Sequence, residues 1–141
     1  MPVRICIIDG QGGGIGATLI KYLKDAFGER VELIALGTNA IATAQMLKAG
    51  ANKGACGENS ICRVALDVDF ILGPIAVGWA NSMLGEVTPK MAEAVSSSAA
   101  FKLLLPLFQE NAEIIGVASE PLPHLVQTLV EKRLQEVLDH V

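Results

Sequence analysis

The residues best suited to chemistry form a glycine-rich run, Asp9-Gly10-Gln11-Gly12-Gly13-Gly14-Ile15-Gly16-Ala17. Five glycines in seven positions mark a place where the backbone turns tightly or approaches another group closely. The run follows the apolar segment 3–8 and opens a stretch with helical spacing of apolar residues, so it joins a strand to a helix. Free N–H groups and the positive end of the helix dipole favour an anion there, which predicts a phosphate site.

The spacing of the glycines indicates which phosphate motif this is. Gly12-x-Gly14-x-x-Ala17 fits the dinucleotide fingerprint with alanine in the third place. Gly10-x-Gly12 begins the same pattern, but Ile15 stands where its third glycine would fall. No Gly-Lys-Ser/Thr follows, so a triphosphate-binding P-loop is not predicted. The alternative interpretation is a glycine turn that serves only strand–helix packing.

An acidic residue that would bind an adenosine ribose is missing from its usual place. It is expected at the end of the second strand, about 20 residues after the glycines. The sequence has Leu36-Gly37-Thr38-Asn39 there. Asn39 is able to hydrogen-bond a hydroxyl or to cap a helix, and no arginine indicates a 2′-phosphate pocket. This departure weakens an interpretation as an NAD site.

A second group of reactive residue types is Cys56-Gly57-Glu58. Cys56 stands just before a predicted helix N-terminus, where the pKa of a thiol is lowered. It is therefore either a nucleophile or a small residue that fills a gap. Glu58 and Glu86 are candidate bases, although a glutamate at a helix start commonly just favours the dipole. The three cysteines have no metal-like spacing, so no metal site is predicted.

Apolar periodicity alternates between strands and helices along the chain. Strands are predicted at 3–8, 31–36, 70–72, 102–105 and 113–117, and segment 53–56 is either a short strand or a loop. Helices are predicted from 15 to about 27, up to about 48, from 57, over 75–84, from 89 and over 123–139. Thr88 and Pro89 form a favoured helix start.

Strands that alternate with helices imply a parallel sheet covered on both faces. We therefore predict an α/β fold: a single three-layer doubly wound, Rossmann-like domain over residues 1–141. Its parallel sheet has five strands, or six in the order 3-2-1-4-5-6 if 53–56 is a strand. Ligands bind at the carboxyl ends of such strands, beside the first strand. The predicted ligand-binding residues at that edge are Gly10, Gln11, Gly12, Gly13, Gly14, Ile15, Gly16, Thr38, Asn39, Cys56, Gly57, Glu58, Gly73 and Pro74.

Composition limits the classes of partner. The chain has a net charge of −4 and no basic cluster, which disfavours nucleic-acid binding. The apolar region 64–84 is interrupted by Asp67, Asp69 and Gly73-Pro74, so it is not a membrane span. Cysteine usage and the lack of an apolar leader favour a cytoplasmic protein. Wide apolar surfaces around Trp79 or along Leu125 and Leu129 predict a homodimer.

Two resemblances to known families add to these observations. Segments 53–58 and 67–72 resemble the cofactor half of extended short-chain dehydrogenases, in which a Gly-Asp pair touches adenine. Cys56 stands in place of that Asp, and the catalytic Tyr-x-x-x-Lys pair is absent, since Tyr22 is the only tyrosine. The whole chain resembles an uncharacterised domain-of-unknown-function family of short bacterial Rossmann-like proteins through GQGGGIG at 10–16, GACGEN at 54–59, GPI at 73–75 and LGEVTP at 84–89. That resemblance implies the fold and no assigned activity.

The predicted function is that of a cytoplasmic nucleotide- or dinucleotide-binding protein of unassigned activity. Residues 10–16 hold the phosphate, and the ligand is NAD(P) or another adenine nucleotide. One alternative is a small enzyme acting on a phosphorylated or nucleotide substrate, with Cys56 or Glu58 reactive. The other is an interaction module whose glycine loop is purely structural.

Overall fold

The computed structural model describes residues 2–107 and 111–139. It shows a parallel β-sheet with helices on both faces. In this part of the chain the sheet has five strands in the order β3-β2-β1-β4-β5. They are β1 Val3–Asp9, β2 Val31–Gly37, β3 Lys53–Cys56, β4 Phe70–Pro74 and β5 Phe101–Leu105. Chain order reverses between β1 and β4, which is the switch point where parallel sheets bind ligands.

The strand ends that matter most for the site are set by the pairing of β1 with β2. The register runs from Val3 opposite Val31 to Asp9 opposite Gly37. Both strands therefore end at the same level, and the residues that follow them meet at one edge. The Thr38 N–H donates to the Asp9 carbonyl at 2.9 Å, which continues the contact beyond the ladder.

Helices follow the strands as expected for this fold class. They are α1 Gly14–Phe27, α2 Ala40–Lys48, α3 Glu58–Val64, α4 Pro89–Ser97, α5 Leu122–Gln127 and α6 Gln135–Asp139. A π-helical segment, Thr128–Leu134, joins α5 to α6, so the last helical stretch is continuous. The Asn39 side chain caps α2 by accepting from the Ala42 N–H, and Thr88 caps α4 by accepting from the Met91 N–H.

Alternate residues of β1 supply two separate cores. Ile5 and Ile7 pack with α1, α2 and the last helical stretch, whereas Cys6 and Ile8 pack with α3 and α4. This alternation follows from the period of two in a strand covered on both faces. The Cys6 side chain is fully buried, and burial raises the pKa of its thiol to about 12. Cys6 is therefore a small core residue.

The α/β prediction with a parallel sheet is confirmed, and two predicted elements are wrong. Segment 53–56 is a strand, but residues 113–117 are not. The described sheet therefore has five strands, where six are expected with a strand at 53–56. Ile115 is 85% exposed, and Gly116 turns the chain with a φ of 90°. An apolar stretch that finds no sheet neighbour and turns in its middle does not become a strand.

The predicted helix over 75–84 is the second error. Only Ile75–Gly78 is helical, as a single 3₁₀ turn, and tight turns follow it. Asn81, Met83 and Leu84 have φ between 56° and 67°, which a right-handed helix does not allow. The segment Trp79–Val87 is therefore an irregular loop, which we call the β4–α4 loop, and it brings Glu86 to the glycines after β1.

Among the described residues, none of the helices combines the length and the apolar character needed to cross a membrane.

Candidate functional site

A cavity of about 660 Å³ lies at the carboxyl ends of β1 and β4. The glycine run forms one wall, with Asp9, Gly10, Gln11, Gly12, Gly13, Gly14, Ile15 and Thr18 lining it. The remaining lining residues, which we call the apolar wall, are Pro74, Ala76, Met83, Leu107 and Leu122. A cavity of this size falls within the range of about 300–1,000 Å³ typical of small-molecule sites.

The buried carboxylate of Asp9 organises the glycine run. Its Oδ1 accepts from the Gly10 N–H and its Oδ2 from the Gly16 N–H, both at 2.8 Å. A further hydrogen bond comes from the Ile15 N–H. Burial raises the pKa of Asp9 even though these hydrogen bonds oppose the shift. Asp9 therefore braces the turn and satisfies part of the helix N-terminus.

Gly13 and Gly16 hold the run against α2. Gly13 has a φ of 76°, and a Cβ on it would lie 2.8 Å from the Ala42 backbone. A Cβ on Gly16 would lie 2.4 Å from the Met46 sulfur. Close packing thus accounts for glycine at these two positions, although Gly13 also lines the cavity.

Gly12 and Gly14 differ from those two. A Cβ on either would meet no heavy atom within 4 Å, and both residues line the cavity. Among the hydrogen bonds of the described residues, none uses the N–H of Gly12 or of Gly14. Two backbone donors thus stand beside open space at the start of α1, where the helix dipole adds a partial positive charge.

Glu86 of the β4–α4 loop contacts both the glycine run and the end of β2. Its Oε1 accepts from the Gln11 N–H at 2.8 Å, from Thr38 Oγ1 at 2.7 Å and from Asn39 Nδ2 at 2.8 Å. Asn39 Nδ2 also donates to the Gln11 carbonyl at 3.0 Å. Both backbone groups of Gln11 are therefore held, which fixes this non-glycine residue at a φ of 50°.

The charge state of Glu86 follows from these contacts. Partial burial favours the neutral form, but the hydrogen bonds from Gln11, Thr38 and Asn39 outweigh it and hold the pKa of Glu86 below its usual range. Glu86 is therefore a carboxylate at neutral pH. It stands beside the residues that follow β2, where the sequence has no acid of its own.

The predicted site residues divide into three groups. Residues 10–15 and Pro74 line the cavity, whereas Gly16 and Gly73 do not, and a Cβ on Gly73 would lie 2.3 Å from the Ile8 carbonyl oxygen. Thr38 and Asn39 adjoin the cavity through Glu86 and Gln11 and do not line it. The third group, Cys56, Gly57 and Glu58, lies at the end of β3 and is not among the lining residues.

The contacts of that third group are of another kind. The Gly57 N–H donates to the Gly37 carbonyl at 2.9 Å, and Glu58 accepts from the Thr88 hydroxyl, which links α3 to the start of α4. Cys56 is exposed. That these three residues bind a ligand, and that Cys56 or Glu58 is reactive, remain predictions.

Sequence reasoning misses the contacts of Glu86 and most of the apolar wall. Glu86 is a candidate base on its residue type alone, yet its partners are 47 to 75 residues away in the chain. No local pattern gives such a contact. Leu107 and Leu122 are missed for the same reason, since Leu107 follows β5, Leu122 begins α5, and both are far from the glycine run in sequence.

The surfaces predicted for a homodimer differ in exposure. Leu129 is only 5% exposed and packs on the sheet with Val126 and Val130, so this part of the helical stripe serves the core. Trp79 is 44% exposed and Leu84 is fully exposed. The homodimer stays a prediction, and the exposed apolar side chains of the β4–α4 loop are the part of its predicted surfaces that the core does not use.

Comparison with known proteins gives a family and a distant structural likeness. The family model described as "Domain of unknown function (DUF3842)" matches residues 4–138. No curated protein matches the sequence. A solved structure titled "Crystal structure of universal stress protein in complex with cAMP" is similar at 18% identity and a TM-score of 0.42, covering 74% of this chain and 98% of that one. This likeness is too weak to indicate a ligand.

Proposed function

We propose that this chain, which belongs to the DUF3842 family of domains of unknown function, binds a nucleotide or dinucleotide with its phosphate over Gly12 and Gly14. The observation that carries the proposal is the pair of N–H groups at these glycines beside open space, in a cavity of about 660 Å³ at the switch point of the sheet. Packing within the protein does not account for glycine at these two positions, since a Cβ would meet no heavy atom within 4 Å.

The charges around the cavity restrict the form of the phosphate. None of the described lining residues is a lysine or an arginine, and Asp9 and Glu86 are two carboxylates at the loop. A triphosphate carries more negative charge than a pyrophosphate diester or a monophosphate, so the two carboxylates would repel it more strongly. The site therefore favours a pyrophosphate diester such as that of NAD⁺, or a monophosphate, over a triphosphate.

The apolar wall suits the rest of such a ligand. Met83, Leu107 and Leu122 line the same cavity as the glycine run and offer apolar area to a base or another planar group. Methionine adapts to flat aromatic surfaces because its side chain is flexible and polarisable. Among the described lining residues, the only titratable group is Asp9, which is engaged by backbone N–H groups, and the Thr18 hydroxyl donates to the Gly14 carbonyl. Binding is therefore favoured over catalysis.

Substitution of Gly14 by valine tests the proposal. The side chain would enter the open space above the loop without displacing protein atoms, because nothing lies within 4 Å of its Cβ. We expect the variant to remain folded and to bind NAD⁺ and AMP at least 30-fold more weakly than the parent. Isothermal titration calorimetry on the full chain measures the affinities, and circular dichroism checks the fold.

The matched control is Ser96→Val, which places the same side chain at an exposed position of α4. It should bind as the parent does. Equal binding by Gly14→Val and Ser96→Val would show that the glycine run is not the phosphate site. A parent that binds neither nucleotide at millimolar concentration would overturn the proposed function itself.

A further inference from the structure

We infer that Glu86 is the ribose-binding carboxylate of this site and makes it select a free 2′-hydroxyl over a 2′-phosphate. The inference rests on the proposed function and adds to it a residue that determines specificity. It concerns a group supplied by the β4–α4 loop, far in sequence from the usual position of such an acid at the end of β2.

The position of Glu86 carries the first step. Its carboxylate is hydrogen-bonded to the side chains of Thr38 and Asn39, the two residues directly after β2. In a nucleotide site at a switch point, the groups at this strand end face the adenosine ribose. Glu86 does not itself line the cavity, but its Oε1 accepts from the N–H of Gln11, which does line it. A carboxylate has thus been brought to the end of β2 from outside it.

The two carboxylate oxygens of Glu86 are used differently. The three donors converge on Oε1, and no hydrogen bond between described residues engages Oε2. The second oxygen therefore goes beyond what the local structure uses. A ribose with free 2′- and 3′-hydroxyls supplies the donors that this oxygen lacks.

The charge of Glu86 would repel a phosphate on the ribose. A phosphate on the 2′-oxygen would place about two negative charges beside Glu86, with Asp9 close enough for the two carboxylates to interact. Sites that accept a 2′-phosphate provide an arginine near this point. The described residues that line the cavity or hydrogen-bond to Glu86 include no arginine or lysine. The same carboxylate that accepts from a hydroxyl thus rejects the phosphorylated ribose.

Calorimetric titration of the full chain with NAD⁺ and NADP⁺ tests the inference, since these ligands differ only in the 2′-phosphate. We expect the parent to bind NAD⁺ at least tenfold more tightly than NADP⁺. Glu86→Gln keeps an acceptor for Gln11, Thr38 and Asn39 but removes the charge, so the ratio should fall to threefold or less. Glu93→Gln, which removes a charge at an exposed position of α4, should keep the parent ratio.

A second measurement needs no variant. If Glu86→Gln fails to fold, the parent is titrated with AMP and 2′-deoxy-AMP, and the deoxynucleotide should bind at least fivefold more weakly. Parent binding of both members of each pair with equal affinity would overturn the inference and leave the phosphate site intact. An unchanged NAD⁺ to NADP⁺ ratio in a folded Glu86→Gln variant would do the same. Failure of all four nucleotides to bind the parent would overturn the proposed function, and the inference with it.

Discussion

The ends of β1 and β3 look alike in sequence and differ in structure. Each strand runs into glycine and then into a helix N-terminus, and each has a carboxylate nearby. After β1, two glycines leave their N–H groups beside a cavity. After β3, the Gly57 N–H is used by the Gly37 carbonyl and Glu58 is used by Thr88, at the outermost strand of the sheet.

The difference comes from the position of each strand in the sheet. β1 is central and faces the reversal of chain order, where the connections diverge and leave space. β3 is an edge strand, and its following helix packs directly against α4. A glycine before a helix thus becomes a candidate ligand site only where the topology provides a cavity for it.

The largest expected effect is on the free energy of unfolding when a glycine after β1 or after β3 is replaced by alanine. Gly13→Ala should cost about 3 kcal/mol of the free energy of unfolding, because the residue has a φ of 76° and its Cβ would press on the Ala42 backbone. Gly57→Ala should cost about 2 kcal/mol from backbone strain alone, since its φ of 96° and ψ of 172° lie in a region essentially restricted to glycine, while its Cβ meets open space. Urea denaturation measures both, with Gly12→Ala as a control near zero. Equal costs at Gly13 and Gly57 would contradict the packing difference.

The two carboxylates of the β1 end should give opposite pH dependence. Glu86 has a lowered pKa, so its stabilisation is present above about pH 4.3, the unfolded value, and is lost as pH falls through the folded pKa. Asp9 has a raised pKa, so its contribution is present below about pH 3.9 and is lost as pH rises through the folded pKa.

The measurement is the free energy of unfolding of the parent, Glu86→Gln and Asp9→Asn between pH 3 and 7. The advantage of the parent over Glu86→Gln should grow with pH, and its advantage over Asp9→Asn should shrink. Trends of the same sign in both comparisons would show that the two carboxylates do not have the environments described.

The smallest expected effect concerns Cys56. Its exposure makes it the fastest of the three cysteines to react with iodoacetamide, ahead of the partly buried Cys62 and the buried Cys6. Because Cys56 is not among the residues that line the cavity, saturating NAD⁺ should change its rate by less than twofold. Peptide-mapped alkylation gives the rates. Strong protection by the nucleotide would place Cys56 in the site, where the sequence alone predicts it.

The elements that could be predicted are those with a strong local signal. Apolar strands 3–8 and 31–36 extend one residue further than expected, and the caps Asn39 and Thr88 are confirmed. The helix predicted over 75–84 is wrong because apolar content alone does not reveal positive φ values, which Met83 and Leu84 adopt. The strand predicted over 113–117 is wrong because strand formation depends on a neighbour that local sequence does not specify.

The candidate site likewise has a part that local sequence predicts and a part that it does not. The glycines after β1 are local, and their spacing reveals them. The contact between Glu86 and the glycine run joins residues 75 apart in the chain and depends on a loop whose path the sequence pattern misrepresents. The sequence has no acid directly after β2, but a carboxylate reaches that place from another part of the chain.

The alkylation rate of the buried Cys6 thiol reports how often the central sheet opens. The thiol lies on the central strand with no exposed surface and a pKa of about 12, so a thiol reagent reaches it only when the sheet itself parts. The exposed Cys56 in the same chain provides the unprotected reference. The ratio of the two alkylation rates, followed with and without nucleotide, would thus report stabilisation by a bound ligand without any added label.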